Sequence, residues 1–289
     1  MLGIIGGSGL YDFPELSVHY RKSVQTPFGM PSDELVVGDV RDVPVVFLAR
    51  HGVGHRLTPT ELPYQANVYA MKLLGVTHLL TISAVGSLRE QLPPLSIVLT
   101  DQIVDRTVIR PRSFFGEGVV AHVGIAEPYC RAFGGRVIEA ANRAGHTIVD
   151  GGTYICIEGP QFSTRAESQL FRSWGCDVIG MTAMPEARLA REAELCYSTL
   201  AMVTDFDVWH ETVGPVDVAM VSRYLSQNAE TGRHILAELI GTWRAPDGPC
   251  TCHSALSGAI VTDPATISRD ARARLGIIAD RYLPPENAA

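Results

Sequence analysis

The chain of 289 residues carries 24 Lys and Arg against 31 Asp and Glu, a formal net charge of -7, with 46% hydrophobic and 19% charged residues. Because the basic residues are scattered and outnumbered, the composition argues against a nucleic acid or an anionic membrane surface as a partner. No apolar run approaches the ~20 residues of a membrane span, and the amino terminus shows no basic leader. We therefore expect a soluble, cytoplasmic protein.

Six cysteines lie mostly within apolar stretches, which is typical of reduced and buried thiols. Only Cys250 and Cys252 are close in sequence, and their C-x-C spacing fits either a redox pair or half of a zinc site. No second close pair and no H-x-x-x-H pattern follows, so the sequence predicts no metal site.

Hydrophobic periodicity predicts alternating strands and helices. The predicted strands are 2–5, 43–49, 78–82, 153–157, 177–181 and 196–203, and the predicted helices are 63–74, 127–144, 164–174, 185–194 and 216–241. The one break in composition is the Pro- and Gly-rich stretch 245–249. We therefore expect one α/β domain over 1–243 and a C-terminal extension over 244–289 that packs on the same domain.

Polar side chains stand at the carboxyl ends of several predicted strands. They are Ser8, Arg50, His51, Ser83, Thr182, Asp205 and Asp207. In open α/β sheets that edge is where ligands bind. The pattern predicts one convergent site for a ligand that is both anionic and capable of hydrogen bonding.

The first glycine turn, Gly6-Gly7-Ser8-Gly9, matches neither the G-x-G-x-x-G dinucleotide fingerprint nor the G-x-S-x-G nucleophile elbow. It is either a plain tight turn or a phosphate-sized nest of backbone N–H groups and the Ser8 hydroxyl. Arg50 at another strand end would add the charge-assisted hydrogen bonds that neutral donors cannot supply.

Asp205 and Asp207 follow the apolar strand 196–203. They are either two solvated carboxylates at a turn or, if the strand continues, two side chains on one face that address a single ligand. Partial burial would then raise the pKa of at least one of them, giving an acid that donates a proton near neutrality.

Several segments together resemble the methylthioadenosine phosphorylases of the purine nucleoside phosphorylase superfamily. The matching segments are Ile4–Leu10, Ala49–Gly52, Tyr64–Asn67, Ser83–Arg89, Asp101–Gln102, Ile157–Ser168, Gly180–Thr182, Pro185–Glu186 and Thr204–Asp207. The resemblance implies a single-domain nucleoside phosphorylase fold, a central mixed β-sheet or distorted barrel flanked by α-helices. It also implies phosphorolysis of a 5′-modified nucleoside with inorganic phosphate as co-substrate and no metal or organic cofactor.

By resemblance, the phosphate-binding residues would be Ser8, Arg50, His51, Ser83, Ala84 and Thr182, and the nucleoside-binding residues would be Phe162, Met181, Asp205, Phe206 and Asp207. His55 matches a family histidine near the sugar. Asp205 would be the catalytic acid toward purine N7, and Asp207 would accept from a 6-amino group and repel a 6-oxo group. Adenine is therefore the expected base.

Ser163, Val218 and Val221 match positions linked to specificity at the 5′ end, although the two valines also fit ordinary helix packing. An apolar wall there would favour a methylthio group over a hydroxyl. His122 matches a residue that family members lend to a neighbouring subunit, so the resemblance implies a homotrimer or a dimer of trimers. Three alternatives stay open: a phosphorylase of ordinary purine nucleosides or methylthioinosine, a hydrolase, and a nucleoside-binding module without turnover.

Overall fold

The computed structural model describes residues 1–7, 13–210, 218–244 and 250–283, with side chains omitted for 218–222. The strands of the described residues are β1 (Leu2–Gly6), β2 (Ser17–Lys22), β3 (Leu35–Val40), β4 (Val43–Ala49), β5 (His78–Ser87), β6 (Ile97–Leu99), β7 (Gln102–Arg106), β8 (Val149–Asp150), β9 (Thr153–Ile157), β10 (Val178–Gly180) and β11 (Cys196–Asp205). The helices are α1 (Tyr64–Leu73), α2 (Arg131–Arg143), α3 (Arg165–Ser173), α4 (Ala183–Glu192), α5 (Val218–Gly241) and α6 (Arg269–Leu275).

The strands form one mixed sheet in the order β2-β3-β4-β1-β5-β10-β9-β7, with β11 also pairing β5 and extending the sheet to β6 and β8. The pairs of β1 with β4 and of β5 with β1 and β11 are parallel, whereas β10 runs antiparallel to β5. The sheet therefore branches at β5. The predicted α/β class with a mixed central sheet flanked by helices is confirmed.

Successive side chains of the central strands point alternately to the two faces of the sheet, so the hydrophobic core around these strands has two parts, one on each face. Ile5, Leu79 and Ala201 belong to one buried cluster, whereas their neighbours Ile4 and Leu80 belong to a second. Because successive side chains of a strand point to opposite faces, strands buried on both sides read as continuous apolar runs. Helices α1 and α4 cover the first face, and α2 and α5 cover the second.

The C-terminal segment 250–283 is part of this core. Leu256, Leu275 and Ile278 are at most 3% exposed and belong to the same buried cluster as Ile5 and Leu79. Helix α6 begins after Ser268, whose hydroxyl accepts a hydrogen bond from the N–H of Ala271. The composition break at 245–249 lies outside the described residues.

Most predicted elements are present, with shifted ends. The predicted helix 63–74 is α1, and Thr164 caps α3 through a reciprocal pair of hydrogen bonds with Glu167. The predicted helix 127–144 begins only at Arg131, after the non-helical Cys130. Two predicted strand ends were wrong, because β5 continues to Ser87 and β11 continues to Asp205. Strands β2, β3, β6, β7 and β8 were not predicted.

None of the helices in the described part of the chain combines the length and apolarity needed to cross a membrane.

Candidate active site

A cavity of about 410 Å³ opens at one edge of the central sheet. The register of the parallel strands explains why the polar groups meet there: Gly6 pairs with Ala49 on one side and with Ile82 on the other. The next residues, Gly7, Arg50 and Ser83, are therefore level with one another, and all three line the cavity. Ser83 reaches this level from within β5, not from its end.

The cavity brings together most of the residues singled out from the sequence. Its lining includes Arg50, His51, His55, Ser83, Ala84, Phe162, Ser163, Met181, Thr182, Asp205 and Asp207. Phe206 is not part of the lining: its ring stacks on His210 at 4.6 Å and meets Trp209 edge to face. His122 is exposed and is not among the lining residues. Ser8 and the side chains of Val218 and Val221 lie outside the described residues.

Arg50 is the buried cation of the cavity, and its guanidinium is held by an unpredicted partner. Nε and Nη2 each lie 3.4 Å from a carboxylate oxygen of Glu186, while Nη1 donates to the carbonyl of Ile82 at 2.9 Å. Nη2 also donates to the carbonyl of Ile5 at 3.4 Å. Both side chains of the ion pair are 1% exposed. Within the described residues these contacts leave one Nη1 proton of Arg50 for a ligand. The Nε and Nη2 edge of the guanidinium, which could bind an anion in bidentate fashion, is occupied by Glu186.

His51 lies beside Arg50 and is uncharged. Its Nδ1 is 2.9 Å from the carbonyl oxygen of Leu57, which places the proton on Nδ1 and leaves Nε2 as an acceptor. Burial, together with the charge on Arg50, lowers the pKa of His51 to about 4. His51 can therefore orient a protonated oxygen of a ligand but cannot contribute positive charge to an anion.

Two hydroxyls face each other next to the guanidinium. The Ser83 and Thr182 side-chain oxygens are 3.1 Å apart, and both residues are buried. Ser83 belongs to β5 and Thr182 immediately precedes α4, so the pair joins two separate elements. Because each hydroxyl can rotate, both can turn their protons toward an oxyanion that enters the cavity.

The two carboxyl groups also line the cavity, and Asp205 is level with Gly86, three residues beyond Ser83 along β5. The side-chain hydroxyl of Thr204 donates to Asp205 Oδ2 at 2.7 Å, and the main-chain N–H of Asp207 donates to Asp205 Oδ1 at 2.8 Å. Burial raises the pKa of Asp205. Burial, reinforced by the charge of Asp205, raises the pKa of Asp207 to about 6. Oδ2 of Asp207 is buried and makes no hydrogen bond with good geometry within the described residues, although the nearby Ser168 side chain opposes the rise in the pKa of Asp207.

Of the two alternatives for Asp205 and Asp207, the structure shows the turn and not the shared strand face, although both residues line one cavity. Strand β11 ends at Asp205, and Asp207 has a φ of 51°, so the chain turns between them. Asp is one of the few side chains that tolerate this left-handed conformation. The missing Cβ of Gly86 makes room for the turn: a methyl group there would lie 2.9 Å from Asp205 Oδ1 and 3.3 Å from Asp207 Cβ.

The similarity to known proteins agrees with this geometry. The sequence profile described as "Phosphorylase superfamily" matches residues 1–241. This chain belongs to the phosphorylase superfamily. The resemblance stated from the sequence is thereby confirmed, and the superfamily assignment covers the central sheet and all residues that line the cavity.

Curated relatives within the superfamily are similar over nearly their whole length. The chain is 50% identical to the S-methyl-5′-thioadenosine phosphorylase of Gloeobacter violaceus, covering 97% of this chain and 95% of that protein. It is 49% identical to the enzyme of the same name from Cereibacter sphaeroides, covering 98% of each.

Solved structures of superfamily members are similar to this chain in both sequence and fold. The methylthioadenosine phosphorylase from an antarctic soil metagenomic library matches with a TM-score of 0.91 and 45% identity over 96% of this chain and 98% of that one. The Schistosoma mansoni methylthioadenosine phosphorylase in complex with adenine matches with a TM-score of 0.80 and 40% identity, over 83% of this chain and 90% of that one.

Several residues of this phosphorylase-superfamily cavity were missed by sequence reasoning. Leu225, Asn228 and Ala229 line it from α5, and Thr204 lines it from β11. The predicted helix 216–241 contained the first three, but periodicity alone could not tell which of its faces meets the cavity. Glu186 was noted only as part of a matching segment, because its contact with Arg50 spans 136 positions of sequence.

A further unpredicted residue, Arg110, fixes two loops that line the cavity. Its Nη1 donates to the carbonyl oxygens of Met181 at 2.6 Å and Met184 at 2.7 Å, and its Nη2 donates to that of Ile157 at 3.3 Å. Nε donates to Glu158 Oε1 at 3.0 Å. Arg110 thereby joins the end of β9 to the segment between β10 and α4, and it orders the backbone around Met181 and Thr182.

Proposed function

We propose that this protein catalyses the phosphorolysis of S-methyl-5′-thioadenosine, yielding adenine and 5-methylthioribose 1-phosphate. The observation that carries the proposal is that one cavity is lined both by Arg50, a buried cation, and by Asp205, a buried acid whose pKa is raised. Relatives that are about half identical over the full chain bear the name S-methyl-5′-thioadenosine phosphorylase, which supports the same substrate.

Inorganic phosphate binds at the Arg50 end of the cavity. The remaining Nη1 proton of Arg50, the Ser83 and Thr182 hydroxyls and the backbone of Ala84 surround the phosphate, and Ser8, which follows the last described residue of this segment, is the further phosphate-binding residue that the family resemblance implies. His51 Nε2 accepts from the protonated phosphate oxygen, since His51 is neutral. A phosphate oxygen then attacks the anomeric carbon of the ribose, which lies against Met181 and His55.

The base leaves at the carboxyl end. As the glycosidic C–N bond breaks, positive charge develops on the sugar, and the electron pair of that bond goes to the purine. Protonated Asp205 gives its proton to N7, so adenine leaves as a neutral molecule. The carboxylate of Asp207 accepts from the 6-amino group, while Phe162, which lines the cavity and is 52% exposed, stacks on the base. We assign no nucleoside contact to Phe206, given its position.

The 5′ substituent meets an apolar wall. Met202, Leu225 and Ala229 line the cavity together with Ser163, and Val218 and Val221 belong to the same helix α5 as Leu225 and Ala229. A 5′-hydroxyl on such a wall would lose water without gaining a partner, whereas a methylthio group loses nothing. The predicted preference for methylthioadenosine over adenosine is part of the proposal.

The proposed reaction uses phosphate as co-substrate and needs neither a metal ion nor an organic cofactor in the cavity. We further propose that the enzyme works in the cytoplasm as a homotrimer or dimer of trimers. The exposed His122 supports the assembly, since an exposed side chain is free to reach a neighbouring subunit. The main-chain N–H of His122 donates to the carbonyl of Ala259 at 2.9 Å, which fixes the backbone that carries the ring.

A substrate panel with and without phosphate tests the proposal. Adenine release from methylthioadenosine should require phosphate and should show a higher kcat/KM than release from adenosine, inosine or methylthioinosine. An Arg50→Met variant, which keeps the volume of the side chain but not its charge, should lose phosphate-dependent turnover. Equal turnover of inosine would refute the adenine preference, and full turnover in phosphate-free buffer would establish a hydrolase instead.

A further inference from the structure

A cluster of four cysteines lies outside the cavity, where three distant parts of the sequence meet. Their sulfur atoms lie within 4.8 Å of one another, and the members are Cys130, Cys196, Cys250 and Cys252. Cys130 immediately precedes α2 and Cys196 is the first residue of β11. The main-chain N–H of Cys130 donates to the carbonyl of Tyr197 at 2.8 Å, which fixes the first two cysteines side by side.

The spacing of the cluster matches a tetrahedral metal site. Zinc binds thiolates at about 2.3 Å in tetrahedral geometry, which separates neighbouring sulfur atoms by about 3.8 Å. The Sγ atoms of Cys130 and Cys250 are 3.7 Å apart. A disulfide needs about 2.05 Å, and all six cysteines are free in the structure. The four sulfurs thus surround a common centre.

The groups around the cluster suit the charge of such a site. Four thiolates around Zn²⁺ carry a net charge of minus two, which must be balanced by donors next to the sulfurs. Arg191 Nη1 lies 3.6 Å from Cys252 Sγ, and His253 Nε2 lies 3.4 Å from Cys196 Sγ. Burial of three of the four cysteines excludes solvent from the centre, and Cys250 is half-buried.

We propose that Cys130, Cys196, Cys250 and Cys252 together bind one zinc ion in a structural tetrathiolate site. Four protein ligands leave no open coordination position, which is the arrangement of structural zinc sites and not of catalytic ones. The site is also remote from the cavity, because Cys196 and Asp205 are the two ends of β11, about 30 Å apart along an extended strand. The metal would tie the C-terminal segment to β11 and α2.

The sequence pattern could not show this site. Cys250 and Cys252 supply one close pair, but the other two ligands are single cysteines from separate elements, and Cys130 and Cys250 are 120 positions apart. The expectation of no metal site rested on the absence of a second close pair. The fold supplies that pair in space by placing Cys130 next to the first residue of β11.

The test measures metal on the full-length protein, purified under reducing conditions without a metal-affinity tag from cells grown with added zinc. Elemental analysis after exhaustive desalting should find about one zinc per chain. Replacement of the zinc by Co²⁺ should give the intense visible d–d bands and the near-ultraviolet sulfur-to-cobalt charge-transfer band of a tetrahedral tetrathiolate. Removal of the metal should lower the unfolding temperature while leaving the KM values for nucleoside and phosphate unchanged.

Two cluster variants and one matched control make the assignment specific. Cys130→Ala and Cys252→Ala should lose the bound zinc, whereas Cys176→Ala, which removes an equally buried thiol outside the cluster, should retain it. Zinc bound equally by all three variants would overturn the assignment. So would a metal-free wild-type protein whose intact mass under denaturing, non-reducing conditions shows these cysteines joined as disulfides, and this measurement requires no variant to fold.

Discussion

The main-chain N–H of Asp207 donates a 2.8 Å hydrogen bond to Oδ1 of Asp205, so the two acids of the cavity are locked into one turn. Asp207 and Asp205 both belong to the lining of the cavity. One acid is thus positioned by the backbone of the other. The two carboxyl groups can therefore take different roles although only one residue separates them.

The proton-donor role of Asp205 predicts a base-dependent effect of Asp205→Asn. An amide cannot protonate N7, and loss of a general acid costs roughly 10²–10⁴-fold in rate. We expect kcat for methylthioadenosine to fall by that amount, with a much smaller loss for methylthioinosine. Asp42→Asn, an exposed substitution between β3 and β4, is the matched control and should change neither rate. Equal losses on the two substrates would contradict a proton transfer to N7.

The hydroxyl of Thr204 predicts a shift in the pH profile. Its hydrogen bond to Asp205 Oδ2 favours the ionised carboxylate and so opposes the rise in the pKa of Asp205. Thr204→Val removes that donor, so the pKa should rise further. Because the protonated acid is the active form, the basic limb of the kcat profile should move to higher pH.

Thr199→Val separates this effect from the general loss of a buried hydroxyl. Thr199 lies on the same strand, but its hydroxyl contacts Tyr197 and not Asp205. Its profile should match that of the unaltered enzyme, as measured from kcat between pH 5 and about 9. A basic limb of Thr204→Val displaced to lower pH would show that the hydroxyl favours the protonated form instead.

Loss of the carboxylate that holds Arg50 should weaken phosphate binding. Glu186→Gln keeps the shape of the side chain but leaves the buried guanidinium without its counter-charge, and breaking such a pair costs about 3 kcal/mol of folding stability. We expect KM for phosphate to rise about tenfold, because one misplaced hydrogen bond to an anion costs about 1.4 kcal/mol. KM for methylthioadenosine should stay close to its original value.

Glu192→Gln is the control for that experiment, because Glu192 is buried but bonds Ser113 and the N–H of Phe114 instead of Arg50. Steady-state kinetics at saturating nucleoside and urea unfolding give the two readouts. A stability loss without any change in the phosphate KM would reduce Glu186 to a purely structural partner.

The raised pKa of Asp207 predicts that its ionised carboxylate lowers the free energy of unfolding at neutral pH. A carboxyl group whose pKa rises from 3.8 to about 6 on folding costs nothing where it is protonated in both states. The cost grows as pH rises from 3.8 and is complete above about 6, where it amounts to about 3 kcal/mol at most. Asp207→Asn, which tolerates the same backbone conformation, should remove it.

Urea unfolding at several pH values checks this expectation. The free energy of unfolding of Asp207→Asn should exceed that of the unaltered protein at pH 8, and the difference should shrink as pH falls below about 6. The same variant should discriminate less between adenine and 6-oxopurine nucleosides. A stability difference that does not change with pH would show that ionisation of Asp207 is not its cause.

The sequence predicted the central strands because burial on both faces leaves a continuous apolar run, as in β11. It missed β2, whose six residues are all exposed, because nothing in an exposed edge strand marks its periodicity. It also placed the end of β5 at Ile82, since the small residues that follow look like a loop. Pairing with β10 and β11 keeps that stretch extended to Ser87.

The residues of the candidate site also fall into two groups, those that the sequence could identify and those that it could not. Arg50 and Asp205 could be found from sequence because each polar residue follows an apolar run. Their partners Glu186 and Thr204 could not be assigned, because a hydrogen bond between distant elements leaves no local pattern. The turn at Asp207 was missed for a related reason: it depends on the space left by Gly86 on a neighbouring strand.

The superfamily match ends at residue 241, but the hydrophobic core also includes residues from the segment after it. A recombinant chain truncated at that boundary would lack Leu256, Leu275 and Ile278. The apolar residues that these side chains cover on one face of the sheet would then be exposed to water. We expect such a truncated protein to aggregate before it can be assayed. Anyone trimming this enzyme for crystallisation or fusion to another protein should keep the tail.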